Sequence, residues 1–134
     1  MSMGRIDDKK GDILLFICEL KEVMPESYGE YSVSVEKRLA CERAFEKIIE
    51  AVNDLAILFI KEKRLLLPSE DEKAFDILAK SKMISEELAL KLRQAKGMRN
   101  ILAHQYDKID DEVIFEAIHD EIIKDVLKFL EEME

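Results

Sequence analysis

The chain has 134 residues and a formal net charge of −9, with 48% hydrophobic and 38% charged residues. That length suits one domain spanning residues 1–134 around a single core, and that balance excludes a disordered tail. The acidic excess disfavours a nucleic-acid partner unless basic residues are gathered locally.

Only four glycines and two prolines interrupt a chain rich in Leu, Ile, Glu, Lys and Ala, a composition that favours helices joined by short loops. Asn53, Asn100, Gln94 and Gln105 are the only side-chain amides, a scarcity associated with thermophilic proteins.

Apolar periodicity predicts five helices. The first, near Asp7 to Val23, sets Ile13, Leu14, Ile17 and Leu20 at spacings of three and four and ends before Pro25. A loop carrying Tyr28, Gly29 and Tyr31 is expected next. The second helix starts near Ser34 and holds Leu39, Ala44, Phe45, Ile48, Val52, Leu55 and Phe59 in register. Its Leu55 to Ile60 stretch is apolar all round, so more than one side is buried, and one of those sides is a candidate subunit interface. The third helix follows Pro68, where Ser69 with Glu72 reads as a capping box; Phe75, Leu78 and Ala79 form its apolar side. Ser85 caps a fourth helix reaching roughly Ala103. The fifth opens at Asp110 and buries Val113, Ile114, Ala117, Ile118, Ile122 and Phe129. No strand alternation or internal repeat is visible, so the expected fold is an all-α up-and-down bundle of about five helices.

Cys18 and Cys41 have neither metal-ligand nor redox-motif spacing and read as reduced thiols on helix faces. The amino terminus turns charged from Arg5 to Lys10 without an apolar stretch, and Leu55 to Ile60 is far too short to span a bilayer. A cytoplasmic protein with no membrane association is expected.

Charge is unevenly distributed. Between Leu88 and Tyr106 no acid occurs, while Lys91, Arg93, Lys96 and Arg99 do. On an ideal helix Arg93, Lys96, Asn100 and His104 share one narrow face, opposite Leu88, Ala95, Met98 and Leu102. A basic stripe is more often an ordinary solvated face, and a lone histidine more often structural than catalytic.

The pattern R-N-x-x-x-H-x-Y, formed by Arg99, Asn100, His104 and Tyr106, resembles the HepT family of HEPN-domain proteins. The likeness extends to Arg38–Ile49, to the Pro68–Leu78 junction, to the glycine before Met98-Arg99, and to the terminal helix from Asp110 to Phe129; it is weakest before Ser34. The resemblance implies a toxin of a two-component toxin–antitoxin pair, a homodimeric, metal-independent ribonuclease without a cofactor. It further implies a minimal nucleotidyltransferase partner that neutralises the toxin by attaching AMP to Tyr106.

The residue types suit that chemistry. Metal-free RNA cleavage uses the 2′-hydroxyl as nucleophile and needs a base, an acid and positive charge beside the phosphate. Histidine serves either proton role near neutral pH, and arginine offers a permanently charged fork. Asn100 can orient the imidazole or hold substrate, or simply hydrogen-bond on the helix surface. Gly97 allows close approach of RNA or backbone, or is a tolerated helix defect. Lys91, Arg93 and Lys96 can guide the RNA backbone. Arg99 and His104 lie five residues apart, about 140° on a regular helix. The helix is therefore distorted there, or the site combines two subunits; one titrating group per chain favours the second. Tyr106 is expected on the loop beyond the helix end. His119, among Glu116, Asp120 and Glu121, reads as a surface residue without metal-ligand spacing. Asp110, Asp111 and Glu112 read as capping charges, and Tyr28 and Tyr31 as loop residues, packed there or stacking on bases. Two other classes of function stay open: a non-catalytic helical module that binds a nucleotidyltransferase or a nucleotide, and a purely structural dimer.

Overall fold

A computed structural model describes residues 2–65, 73–104 and 110–133. Among these residues the regular structure is entirely helical. Helix α1 (Ser2–Val23) runs antiparallel to the long α3 (Val35–Glu62), with short α2 (Tyr28–Val33) between them. Then come α4 (Ala74–Lys80), α5 (Glu86–His104) and a terminal run of α6 (Asp111–Glu116), a π-helical turn (Ala117–Glu121) and α7 (Ile122–Glu132).

Three expected starts carry the expected caps. The Ser34 hydroxyl accepts from Lys37 N at 3.1 Å, Ser85 Oγ from Leu88 N at 3.1 Å, and Asp110 Oδ1 from Glu112 N at 2.9 Å. The proposed Ser69–Glu72 capping box lies outside the described residues. Helix α1 starts earlier than periodicity indicated and buries Ile6 as well as Ile13, Ile17 and Leu20, whereas Leu14 is exposed. On α3, Leu39 is likewise exposed.

Two expectations are corrected. The Tyr28–Tyr31 segment is a helix, not a loop: Ser27 Oγ accepts from Glu30 N at 3.2 Å, and fully buried Tyr31 packs its ring 5.3 Å from that of Phe115. Six residues are too few for periodicity to register, so this element depends on a cap and a tertiary anchor. The fifth helix is interrupted by the π-helical turn. Ile114, Ile118, Ile122 and Val126 all recur every four residues and are all buried. On a regular α-helix that spacing drifts by about 40° per step; the wider turn takes up the drift and keeps the apolar row on the core.

The core is one continuous cluster centred on α3. Leu55, Ala56 and Ile60 are fully covered and Leu58 and Phe59 nearly so, on a helix packed by the chain's own α1, α4 and α5. Most of that stretch is thus an internal seam covered by the chain itself, with Ile57 alone of the six only partly buried. Outside the core, Lys47 pairs with Glu19 at 2.9 Å and lies 4.5 Å over the Phe16 ring, fixing the α1–α3 register. No described helix is long and apolar enough to cross a membrane.

Candidate functional site

Helix α5 stays regular through His104, its last residue. Its core side is as expected: Leu88 and Leu102 are buried, Ala95 and Met98 partly so. Its polar stripe does not simply face solvent. Arg93 Nη1 reaches both carboxylate oxygens of Asp76 on α4, at 2.9 and 3.1 Å. Lys96 is buried and donates to Asn53 Oδ1 on α3 at 3.1 Å. Lys91, on the flank facing α7, lies 3.6 Å from Glu87 and 3.9 Å from Asp125. Each of the three cations expected to guide a nucleic-acid backbone thus has a partner in its own chain, and Lys96 is removed from the surface.

Arg99 is held at two points. One guanidinium nitrogen donates to Asn100 Oδ1 at 2.9 Å, and the other lies 3.7 Å from Glu50 Oε2 on α3. The head is partly open, with a 28% exposed side chain, so the fork is aimed while remaining reachable. His104 is exposed at the end of the helix. With α5 regular between them, Arg99 and His104 keep the angular separation of about 140° and do not converge within one chain. Tyr106 lies outside the described residues.

Sequence reasoning missed Glu50 and Asn53. They stand three residues apart on one face of α3 and meet Arg99 and Lys96, themselves three apart on α5. A lone amide at Asn53, on the same face as apolar Ile49 and Ala56, was the available signal; its partner, 43 positions away, was set by packing. Elsewhere His119 is exposed, its Nδ1 2.6 Å from Asp120 Oδ1 and its ring stacked 4.9 Å from that of Phe115. Asp110 acts as the cap of α6.

The model of the HepT-like ribonuclease family matches residues 13–133, nearly the whole described chain. The chain belongs to the HepT-like ribonuclease family. A tRNA nuclease HepT of Aphanizomenon flos-aquae is 30% identical over 103 residues, 77% of this chain and 70% of that protein. An mRNA nuclease HepT of Shewanella oneidensis is 25% identical over 73 residues, 54% of this chain and 55% of its own length. Among solved structures, a tri-AMPylated Shewanella oneidensis HEPN toxin in complex with its MNT antitoxin superposes with a TM-score of 0.88 at 20% identity, covering 96% of this chain and 95% of that one. At that identity the superposition shows a shared fold, and the HepT-like chain has the HEPN all-α architecture.

Proposed function

We propose that this HepT-like chain is the toxin of a toxin–antitoxin pair and a metal-independent endoribonuclease. The observation that carries the reading is the last turns of α5, where Arg99 is aimed by Asn100 and Glu50 and His104 stands exposed at the helix end. In this mechanism the Arg99 fork binds the scissile phosphate and offsets the charge that develops on it. One histidine takes the 2′-hydroxyl proton as that oxygen attacks phosphorus. A second proton donor protonates the departing 5′-oxygen, leaving a 2′,3′-cyclic phosphate and a 5′-hydroxyl. Asn100 positions Arg99. Arg93, the most exposed of the flanking cations, exchanges Asp76 for an RNA phosphate.

One chain supplies one suitable histidine at this site, and a two-fold dimer supplies two. The face of α5 that adjoins His104 supports such a dimer. Leu90, Gly97 and Ile101 lie within about 40° of one another on the helix, both apolar side chains are exposed, and a Cβ at Gly97 would meet nothing within 4 Å. A mid-helix glycine costs about 1 kcal/mol relative to alanine, and no packing among the described residues requires it; close approach of a second α5 would. The partner that silences the toxin is a minimal nucleotidyltransferase that adds AMP to Tyr106, a role supported by the AMPylated HEPN toxin of the same fold.

The test is expression with and without the cognate nucleotidyltransferase. Wild-type protein alone should arrest growth, while Arg99→Ala and His104→Ala should be harmless yet folded and dimeric. Co-expression should add the mass of AMP at Tyr106, and Tyr106→Phe should escape it. Undiminished toxicity in either alanine variant removes the catalytic assignment. Neutralised cations along α5 favour one competing reading, a non-catalytic module that binds the nucleotidyltransferase; stable partner binding with no RNA cleavage by unmodified protein would select it.

A further inference from the structure

A cavity of about 300 Å³ opens between α5 and the α6–α7 run, with Phe45 of α3, Met98 of α5 and Val113 of α6 among its apolar lining. Four charged residues share that lining, Lys91, Glu116, Glu121 and Asp125, of which Lys91 and Asp125 face each other across it. Asp125 is only 7% exposed. Among the described residues its one polar partner is Lys91 Nζ, at 3.9 Å and beyond hydrogen-bond reach. Burial pushes its carboxyl above the usual carboxylate range, and the nearby lysines only partly oppose this. The Asp125 side chain is only 10% exposed and lines the cavity, so a donor entering that space would offset part of the cost of burying the carboxyl group. Both ends of the π-helical turn, Ala117 and Glu121, also line this cavity; such widened turns recur at functional sites.

The chemistry narrows the ligand. Lys91 followed by the two Asp125 oxygens presents one donor and then two acceptors. The Watson–Crick edge of guanine presents the complement: the O6 acceptor, then the N1–H and N2–H₂ donors. Adenine pairs its N1 acceptor with a single donor position at N6, and uracil has one N3–H donor between two carbonyls, so neither supplies a second adjacent donor for the carboxylate. Glu116 and Glu121 also line the cavity, so a phosphate is repelled there while a neutral ring is not. We propose that this cavity is a subsite for an unpaired guanine base, its N1–H and N2–H₂ donating to Asp125 and its O6 accepting from Lys91 Nζ. That the base belongs to a substrate RNA rests on the ribonuclease reading; that the cavity binds guanine does not.

The experiment follows the methyl resonances of Met98, Val113 and Ile122 in the His104→Ala dimer during titration with guanosine, inosine or adenosine. Guanosine should produce saturable shifts, inosine should bind tenfold or more weakly because it lacks N2–H₂, and adenosine should leave the spectrum unchanged. Asp125→Asn should erase the preference for guanosine over inosine, and Val113→Trp, at a half-exposed position, should block the cavity without disturbing the core. Equal affinity for the three nucleosides, or no shift at the solubility limit of guanosine, overturns the subsite. Cleavage of RNA by wild-type protein is scored separately: cleavage without guanosine binding overturns the subsite alone, and guanosine binding without cleavage overturns the ribonuclease alone.

Discussion

Tyr31 holds its ring in the core while its hydroxyl oxygen, fully buried, finds no hydrogen-bond partner among the described residues. Burial, with Glu42 adding to it, raises the phenol far above its ordinary value. Tyr31→Phe keeps the packing on Phe115 and removes the unsatisfied oxygen, so it should raise unfolding stability by about 1 kcal/mol in urea titrations. Asp125 gives a pH test with a definite sign. Its folded pKa is raised by burial, with Glu121 adding and Lys91, Lys124 and Lys128 opposing. The native state therefore holds this proton more tightly than the unfolded chain, and stability falls as pH rises above the ordinary aspartate value of 3.8. Asp125→Asn, permanently neutral, should melt higher than wild type near pH 7, with the gap closing as pH drops below that value. The thiols differ as well: Cys41 is buried and its thiol is pushed up to about 11, whereas Cys18 is exposed. Alkylation of the native protein should label Cys18 first. At this scale the sequence singled out Arg99, Asn100 and His104 as candidates, because residue type and spacing suffice to suggest their chemistry. Glu50, Asn53 and Asp125 stayed hidden because their roles arise between helices, where only packing sets the neighbours.

Helix ends show how local rules and tertiary demands meet. Both α3 and α4 close with a left-handed residue, Arg64 at φ 57° and Lys82 at φ 66°. Each is followed by a six-to-one hydrogen bond, Leu65 N to Ile60 O at 2.9 Å and Met83 N to Leu78 O at 3.0 Å. Glycine fits that conformation without strain, so Lys82→Gly should stabilise the protein by up to about 1 kcal/mol. Gly97 makes the opposite case. Gly97→Ala should strengthen the α5 helix itself by about 1 kcal/mol yet weaken the dimer, as read by sedimentation at falling concentration. A variant both more stable and equally dimeric would remove α5 from the interface. Periodicity located the starts of α3, α5 and α6 because caps and apolar spacing agree there. It missed α2, held by Ser27 and Tyr31, and it missed the π-helical turn, since a four-residue apolar recurrence reads as an ordinary helix until the core it faces is known.

For the molecule as a whole, composition alone indicated an all-helical bundle, and the extended motif around His104 indicated the HepT-like family. Less legible was how an acidic chain with net charge −9 presents cations to RNA. Lys91, Arg93 and Lys96 each have a partner inside the chain, so in the proposed mechanism Arg99 is the principal phosphate contact and the proposed two-subunit cleft is the centre of the account. The most direct measurement is cleavage of a mixed-sequence RNA by the purified, unmodified dimer in excess EDTA, with the His104→Ala dimer in parallel. Wild-type protein should cut the RNA to 2′,3′-cyclic phosphate ends, leave DNA of the same sequence intact, and lose at least a hundredfold in rate on removal of His104. Cleavage that stops in EDTA, or that persists in His104→Ala, would contradict it.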